Sequence, residues 1–316
     1  MLLVLTNSAD SHADLVIECL RRRGVPCVRL NTADFPQRAA LTSVIEGVAC
    51  RLTLQKDARV DLDAVRTVWW RHPEPPLMPT DDATDAQLSR NESWWALGAL
   101  WYLLGDRRWV SPYPAFSASR HKPYQLHAAS AVGLEVPRTL VTNDPDAVPE
   151  FFESCGGHMI YKACETTRRV DAAGRRSALF TAPVQRADMA RVRGTVKLAP
   201  CIFQEYVPKR SEVRVTIVGR RLFAAEIHPR QGETMLCDWR LDSSRVRCEP
   251  CRLDENVERR LLSLMDRLGL VFGCIDLVRR PDNRLVFLEV NPVGQWYWVE
   301  QATGMPILDS MIELLV

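Results

Sequence analysis

Near its C-terminus the chain places acid and amide side chains inside two runs that are otherwise apolar. It reads Phe272-Gly-Cys-Ile-Asp276-Leu-Val, a turn at Pro281-Asp-Asn-Arg284, then Leu285-Val-Phe-Leu-Glu289-Val-Asn291-Pro292-Val-Gly-Gln295. This pattern predicts two strands joined by a tight turn. Glu289 and Asn291 are two apart and share a face, and Asp276 on the partner strand could reach the same spot. Apolar neighbours on both faces are the mark of a buried strand. An unpaired carboxylate there would be costly, so either a bound cation or a cationic partner is needed. Two carboxylates and an amide oxygen are hard ligands that suit Mg²⁺ also held by nucleotide phosphates. The plainer alternative is a hairpin whose polar residues face water.

Other residues extend this chemistry. Lys122, after Arg120-His121, and Lys162, ending the run Met159-Ile-Tyr-Lys162, are point charges able to hold nucleotide phosphates. Gln204-Glu205-Tyr206-Val207 leaves a strand for the linker at Pro208. The backbone of such a linker can pair with an adenine edge. Glu212 and Arg214 open the next strand on one face, the first suited to ribose hydroxyls and the second to a developing phosphoryl or oxyanion charge. A surface ion pair between them is the simpler alternative. Polar residues at Glu226, His228, Asp238 and Arg240 lie at and beyond the following strand.

Three stretches must position these groups. The first hundred-odd residues read as a small α/β unit: a strand at 2–6, a helix from Ser11 closed by Gly24, a strand at 25–30, and strands near 41–46, 50–54 and 65–70. Prolines 73, 75, 76 and 79 interrupt before a helix over 85–104, with Trp94, Leu97, Trp101 and Leu104 as its core stripe. No G-x-G-x-x-G follows the first strand, so a dinucleotide site is not expected there. The middle stretch predicts a helix at 118–132, a strand at 137–142, a helix ending near Gly156-Gly157, a strand at 158–163 and an arginine-rich segment from Glu165 to Arg176. A strand at 178–182, a short helix at 188–193 and a strand at 201–207 complete it. The last stretch predicts strands at 211–219 and 221–228, a loop over 229–244, a helix at 254–268 with Val257, Leu261, Leu264, Met265 and Leu268 inward, the Asp276/Asn291 hairpin, and a helix from Pro306.

The 316 residues are long enough for two or three domains. A hydrophobic content of 47% and a net charge of +2 give no case for nucleic acid or a membrane. Apolar runs are too short to span a bilayer, and the chain starts on a strand without a basic leader, so a cytoplasmic location is expected. The ten cysteines are scattered, as expected for reduced thiols. Cys248 and Cys251 form a C-x-x-C, but a second pair for zinc is missing.

Taken in order, these pieces resemble the ATP-grasp ligases, and more narrowly the microviridin-type (graspetide) peptide maturases. The resemblance is carried by Lys122-Pro-Tyr-Gln-Leu126, Gly133 to Asn143, Gln204-Glu-Tyr-Val-Pro-Lys209, Glu212-Val-Arg214, Asp238-Trp-Arg240 and Glu289-Val-Asn-Pro-Val-Gly-Gln-Trp296, with Trp69-Trp-Arg71 in the N-terminal part. It implies an α/β (α+β) ATP-grasp fold with a pre-ATP-grasp α/β domain (1–112), a central subdomain (113–207) and a catalytic subdomain (208–316). It implies ATP with two Mg²⁺ ions held by Asp276, Glu289 and Asn291. ATP would lie on Lys122, Lys162, Gln204–Val207 and Glu212. Arg214 would steady an acyl-phosphate, and Asp238 and Arg240 would orient the acceptor. The implied substrate is an acidic ribosomal precursor peptide whose Asp or Glu is joined to its own Ser, Thr or Lys, and a homodimer is implied with it. The loop after Lys162 departs from the glycine-rich pattern of many such proteins. Arginines 168, 169, 175, 176, 186, 191 and 193 could attract an acidic peptide or form a solvated basic surface. The alternatives are a ligase that adds amino acids to a peptide end or joins small metabolites, and a non-catalytic ATP-binding protein.

Overall fold

Leu2-Leu-Val-Leu-Thr6 has apolar side chains for both faces of a strand, and it forms β1 (Leu2–Thr6), buried throughout. The computed structural model describes residues 1–47, 49–55, 59–78, 82–164, 168–170, 176–178, 181–229 and 246–316. Helix α1 (Ser11–Arg22) follows. Its first turn is closed by Asp10, whose carboxylate accepts from the amides of His12 and Ala13. β2 (Cys27–Asn31) flanks β1, then β3 (Ala40–Glu46), β4 (Ala49–Gln55) and β5 (Arg59–Asp61) form a separate antiparallel sheet. β6 (Thr67–Trp70), helix α2 (Ala83–Leu103) and β7 (Arg108–Val110) complete a parallel sheet of order β2-β1-β6-β7. Leu97, Trp101 and Leu104 of the expected stripe are buried, whereas Trp94 is half-buried.

The helix expected over 118–132 is two helices, α3 (Tyr113–Ser119) and α4 (Lys122–Ala131). Pro123 explains the break, because proline cannot continue a helix but fits the first turn of a new one. Next come β8 (Thr139–Thr142), α5 (Ala147–Ser154), β9 (Met159–Lys162), the hairpin β10 (Arg168–Val170) and β11 (Arg176–Ala178), β12 (Ala182–Val184), α6 (Met189–Val196) and β13 (Cys201–Glu205). β12-β9-β13-β8 make an antiparallel sheet, backed by Val148 and Phe152 of α5 and Val196 of α6. The strand expected at 178–182 therefore lies slightly later, as β12.

The last sheet has the order β16-β15-β14-β17-β18 and is antiparallel throughout: β14 (Ser211–Val218), β15 (Arg221–Pro229), β16 (Val246–Pro250), β17 (Phe272–Arg279) and β18 (Leu285–Asn291). Most of the loop expected at 229–244 lies outside the described residues. α7 (Glu255–Leu268) starts at the Asp254 cap and stops at Gly269, whose φ of +69° suits a glycine. α8 (Tyr297–Thr303) and α9 (Ile307–Leu315) end the chain. One face of this sheet (Val213, Val215, Ile217, Ile275, Leu277, Phe287, Val290) packs on Leu126 and Ala129 of α4 and on Leu261, Leu264, Met265 and Leu268 of α7. Each such fully buried side chain contributes about 1.5–3 kcal/mol. On the opposite face, Val218, Ala225, Phe272 and Cys274 join α8, α9, β1 and α1 in a second core.

Candidate active site

The charged residues gather on the face turned away from α4 and α7. In β14, Val213 and Val215 face the helices, so Glu212 and Arg214 face away. Arg214 lies opposite Asp276, and Asp276 opposite Glu289, which puts three charges side by side on adjacent strands. A bulge makes this possible. Phe287 and Glu289 are two apart and in a regular strand would share a face, yet Phe287 is in the apolar core. The register shifts between Asp276 and Leu277, so that Asp276 meets Glu289 while Leu277 meets Phe287, and Leu288 is left over. That extra residue turns Glu289 to the polar face.

Each carboxylate has a cation. Arg214 Nη1 donates to Asp276 Oδ1 at 2.7 Å, and Lys122 Nζ stands 3.7 Å from Glu289 Oε2. Burial works against the Arg214 charge, but the Asp276 carboxylate, with Cys274 and Glu289 behind it, keeps it more firmly protonated than a free arginine. Lys122 opens α4, and Gln125 one turn later fastens that helix to β18. Its side-chain amide donates to Val290 O and accepts from Val290 N, both at 2.9 Å. Lys122 is therefore anchored against the strand that carries Glu289 and Asn291.

The oxygen set fits a hard divalent cation. Asp276 and Glu289 are cross-strand partners. Asn291 is exposed, and among the described residues its Oδ1 accepts one bond, from Val293 N at 3.1 Å, leaving a lone pair. Among the described residues no group of three or more His, Cys, Asp or Glu could hold a metal. Two carboxylates and an amide leave coordination positions for phosphate oxygens, as Mg²⁺ prefers.

Two further candidates, Lys162 and Gln204, lie on the central sheet. Lys162 ends β9 opposite Ile202, and Gln204 lies opposite Ile160. Gln204 is buried, donates to Thr139 Oγ1 at 3.0 Å, and keeps a buried Oε1 without a partner among the described residues. The amides of Glu205 and Tyr206 are already used, on Arg138 O and His158 O. Among the described residues, the Val207 amide has no backbone partner in this stretch. The Glu205 carboxylate accepts from Arg138 at 2.8 Å. Glu212 pairs with Lys209 at 2.5 Å, both largely buried, rather than with Arg214. A cavity of about 410 Å³ lined by Phe152, His158, Met159 and Arg186 touches the linker at Tyr206, away from the carboxylate pair. Asp238 and Arg240 lie outside the described residues. Arg186, Arg191 and Arg193 form surface ion pairs with Glu153, Asp188 and Asp146. Glu226 accepts from Arg279 at 2.8 Å, with His228 3.9 Å away. Burial pushes the Cys248 and Cys251 thiols up to about 11.

Sequence reasoning passed over Asp10 and His12. Gln125, Gly294 and Arg71 stood only in motifs without a role. The available signals were an arginine directly after four buried residues of β6 and a glycine three residues past Asn291.

The chain resembles known proteins over its whole length. Residues 1–117 match the MvdD pre-ATP-grasp domain. The macrocyclase MdnC bound with precursor peptide MdnA, from Microcystis aeruginosa MRC, superposes with a TM-score of 0.88 at 28% identity, over 100% of this chain and 98% of that one. The macrocyclase MdnB from the same source gives 0.84 at 30% identity, over 100% and 98%. A Chryseobacterium gregarium RiPP-associated ATP-grasp ligase, in complex with ADP and a leader and core peptide, gives 0.88 at 25% identity, over 99% and 96%. Among curated sequences, a probable alpha-L-glutamate ligase of Shewanella amazonensis is 24% identical over 205 residues, and the match spans 64% of each chain. With its N-terminal part matched by the pre-ATP-grasp model and its whole length superposing on MdnB, the chain belongs to the ATP-grasp ligases that include the microviridin macrocyclases.

Proposed function

We propose that this protein is an ATP-dependent peptide macrocyclase that activates Asp or Glu side chains of a ribosomal precursor peptide and closes them onto the peptide's own Ser, Thr or Lys. The observation that carries the reading is the row Arg214, Asp276 and Glu289 on one sheet face, with Lys122 against Glu289. The substrate carboxylate takes the γ-phosphoryl of ATP, giving an acyl-phosphate and ADP. The hydroxyl or amine then attacks the acyl carbon, phosphate leaves, the nucleophile's proton is released, and an ester or amide ring remains. Asp276, Glu289 and Asn291 would hold Mg²⁺, which would supply neutralisation of the phosphate charge during transfer.

The chain's own residues do the rest. Lys122 and Lys162 hold phosphates. Val207 presents its backbone to the base, with Gln204, Glu205 and Tyr206 shaping that edge, and Glu212 meets the ribose. Arg214, fixed by Asp276, stabilises charge on the acyl-phosphate. Asp238 and Arg240 orient the acceptor. The units are a pre-ATP-grasp domain over 1–112, a central subdomain over 113–207 and a catalytic subdomain over 208–316. Two Mg²⁺ ions per site, an acidic peptide and a homodimer, all implied by the family resemblance, and a cytoplasmic location complete the reading. No described helix is long and apolar enough to cross a membrane.

Intact mass spectrometry of the short acidic peptide encoded nearest this gene, after incubation with the protein and Mg-ATP, tests the proposal. A peptide lighter by one water per ring, with ADP formed, is the expected result. A heavier peptide would move the enzyme to the amino-acid-adding ligases. ATP bound without turnover of any peptide would point to a non-catalytic binder.

A further inference from the structure

Three consecutive carbonyls after the Asn291-Pro292 turn are gripped by two buried guanidinium groups. Val293 O accepts from Arg71 Nη1, and Gly294 O lies 3.3 Å from the same nitrogen. The next carbonyl, of Gln295, accepts from Arg214 Nη2 at 3.0 Å. Arg71 follows β6 in the N-terminal unit and is only 1% exposed. Its charge is met by Asp10 Oδ2 at 3.4 Å, the carboxylate that caps α1 and also accepts from Thr6 Oγ1 at 2.7 Å. Beyond Gln295, His12 Nε2 accepts from Trp296 N and Tyr297 N at 3.3 and 3.2 Å.

Gly294 stands where these grips converge. A Cβ there would lie 2.4 Å from Cys274 Cβ and 2.9 Å from Arg214 Nη2. Only a residue without a side chain lets the loop lie against the Cys274 side chain of β17 and the Arg214 guanidinium together. A buried guanidinium is strongly disfavoured unless its hydrogen bonds are well made. Here Arg71 Nη1 gives its bonds to the main chain at Val293 and Gly294, while Nε has only the Asp10 carboxylate at 3.4 Å beside it and no hydrogen bond among the described residues.

We infer that Arg71 is a positioning residue for the ligation: it holds the Val293 and Gly294 carbonyls so that Gln295 O fixes Arg214 over Asp276. The N-terminal unit thereby acts on the reaction centre without touching substrate. This inference rests on the role proposed for Arg214.

Hydrogen exchange of the intact protein reads the grip without any substrate. In Arg71→Met the amides of 293–297 should exchange about tenfold faster or more, while those of β9 and β13 keep their rates. Unchanged exchange at 293–297 overturns the inference. Turnover of the acidic peptide encoded nearest the gene reads the link to Arg214. Arg71→Met should lower kcat about 10–100-fold with the KM for Mg-ATP within about twofold. The same substitution should cost little further in an Arg214→Lys background, because two residues acting through one another are not additive. An equal fractional loss in both backgrounds would make Arg71 a purely structural residue and overturn the inference. If Arg71→Met does not fold, Gly294→Ala applies the same cycle from the loop side. Full turnover in Arg214→Lys alone would instead be a failure of the Arg214 assignment, and the exchange result would then decide the grip by itself.

Discussion

On the face of β14, β17 and β18 that meets α4 and α7, the side chains are Val213, Val215, Ile275, Leu277, Phe287 and Val290. On the other face, one residue out of step, they are Glu212, Arg214, Asp276 and Glu289. The two sets are carried by the same strands, so whatever fixes the apolar set also fixes the charges. A one-residue slip would exchange them, and burying the charges against α7 would be prohibitive. The helices thus set the register, and the charges inherit positions they could not hold by mutual attraction alone.

Substitutions on the two faces should separate stability from turnover. Phe287→Ala should cost about 3–5 kcal/mol of unfolding free energy in a denaturant melt. A loss below about 1 kcal/mol would mean that the apolar face does not hold the register. On the polar face, Glu289→Gln should leave the melt nearly unchanged yet lower peptide-dependent ADP formation about 100-fold or more, roughly 2.7 kcal/mol in the barrier. Normal turnover in that variant would remove the metal assignment. Arg214→Ala should stop product while sparing Mg-ATP binding by calorimetry. If nucleotide affinity collapses instead, Arg214 holds nucleotide and not the acyl-phosphate.

A smaller effect is expected at His12, which borders the polar face. Burial, with help from the charges of Arg71 and His72 and against that of Asp10, brings its pKa down from 6.5 to about 4. Between those values the unfolded chain binds a proton that the folded chain does not, so stability falls as pH drops through that window. His12→Gln should flatten that part of the Tm–pH curve, and an unaltered slope would show that other groups set it. The least effect belongs to the C-x-x-C. Cys248 packs into the core on the α8 side and Cys251 into the core under α7. The double Ser variant should keep full turnover and a Tm within a few degrees, about 1 kcal/mol. Loss of bound zinc with activity in that variant would contradict this.

Much of this site could be read from the chain because polar residues inside apolar strands are conspicuous. Asp276, Glu289, Asn291 and Arg214 stood out for that reason, and long helices such as α7 declared themselves by their periodicity. The bulge at Leu288 did not, since Phe287 and Glu289 have the same parity and only the fold separates them. The split between α3 and α4 had a local cause in Pro123, but the apolar pattern ran across it. Short elements such as β5, β7, β16 and α8 carry too few residues for a pattern to emerge. The grip of Arg71 and His12 on residues 293–297 joins segments more than 200 residues apart. Such long-range contacts have no signature in spacing. Asp238 and Arg240 lie outside the described residues and are carried by the family resemblance.

The Gln125 amide on Val290 has one more consequence. β18 ends its sheet, and a long apolar edge strand with free amides and carbonyls is a template for pairing with other chains. Here Val290 is satisfied by a side chain, Phe287 N donates to Glu135 O, and Val286 bridges the same segment. The edge nearest the candidate site is closed over much of its length. An extended peptide therefore cannot reach the site by adding itself as a sixth strand on that side, and a partly unfolded neighbour finds no ready seed for aggregation there.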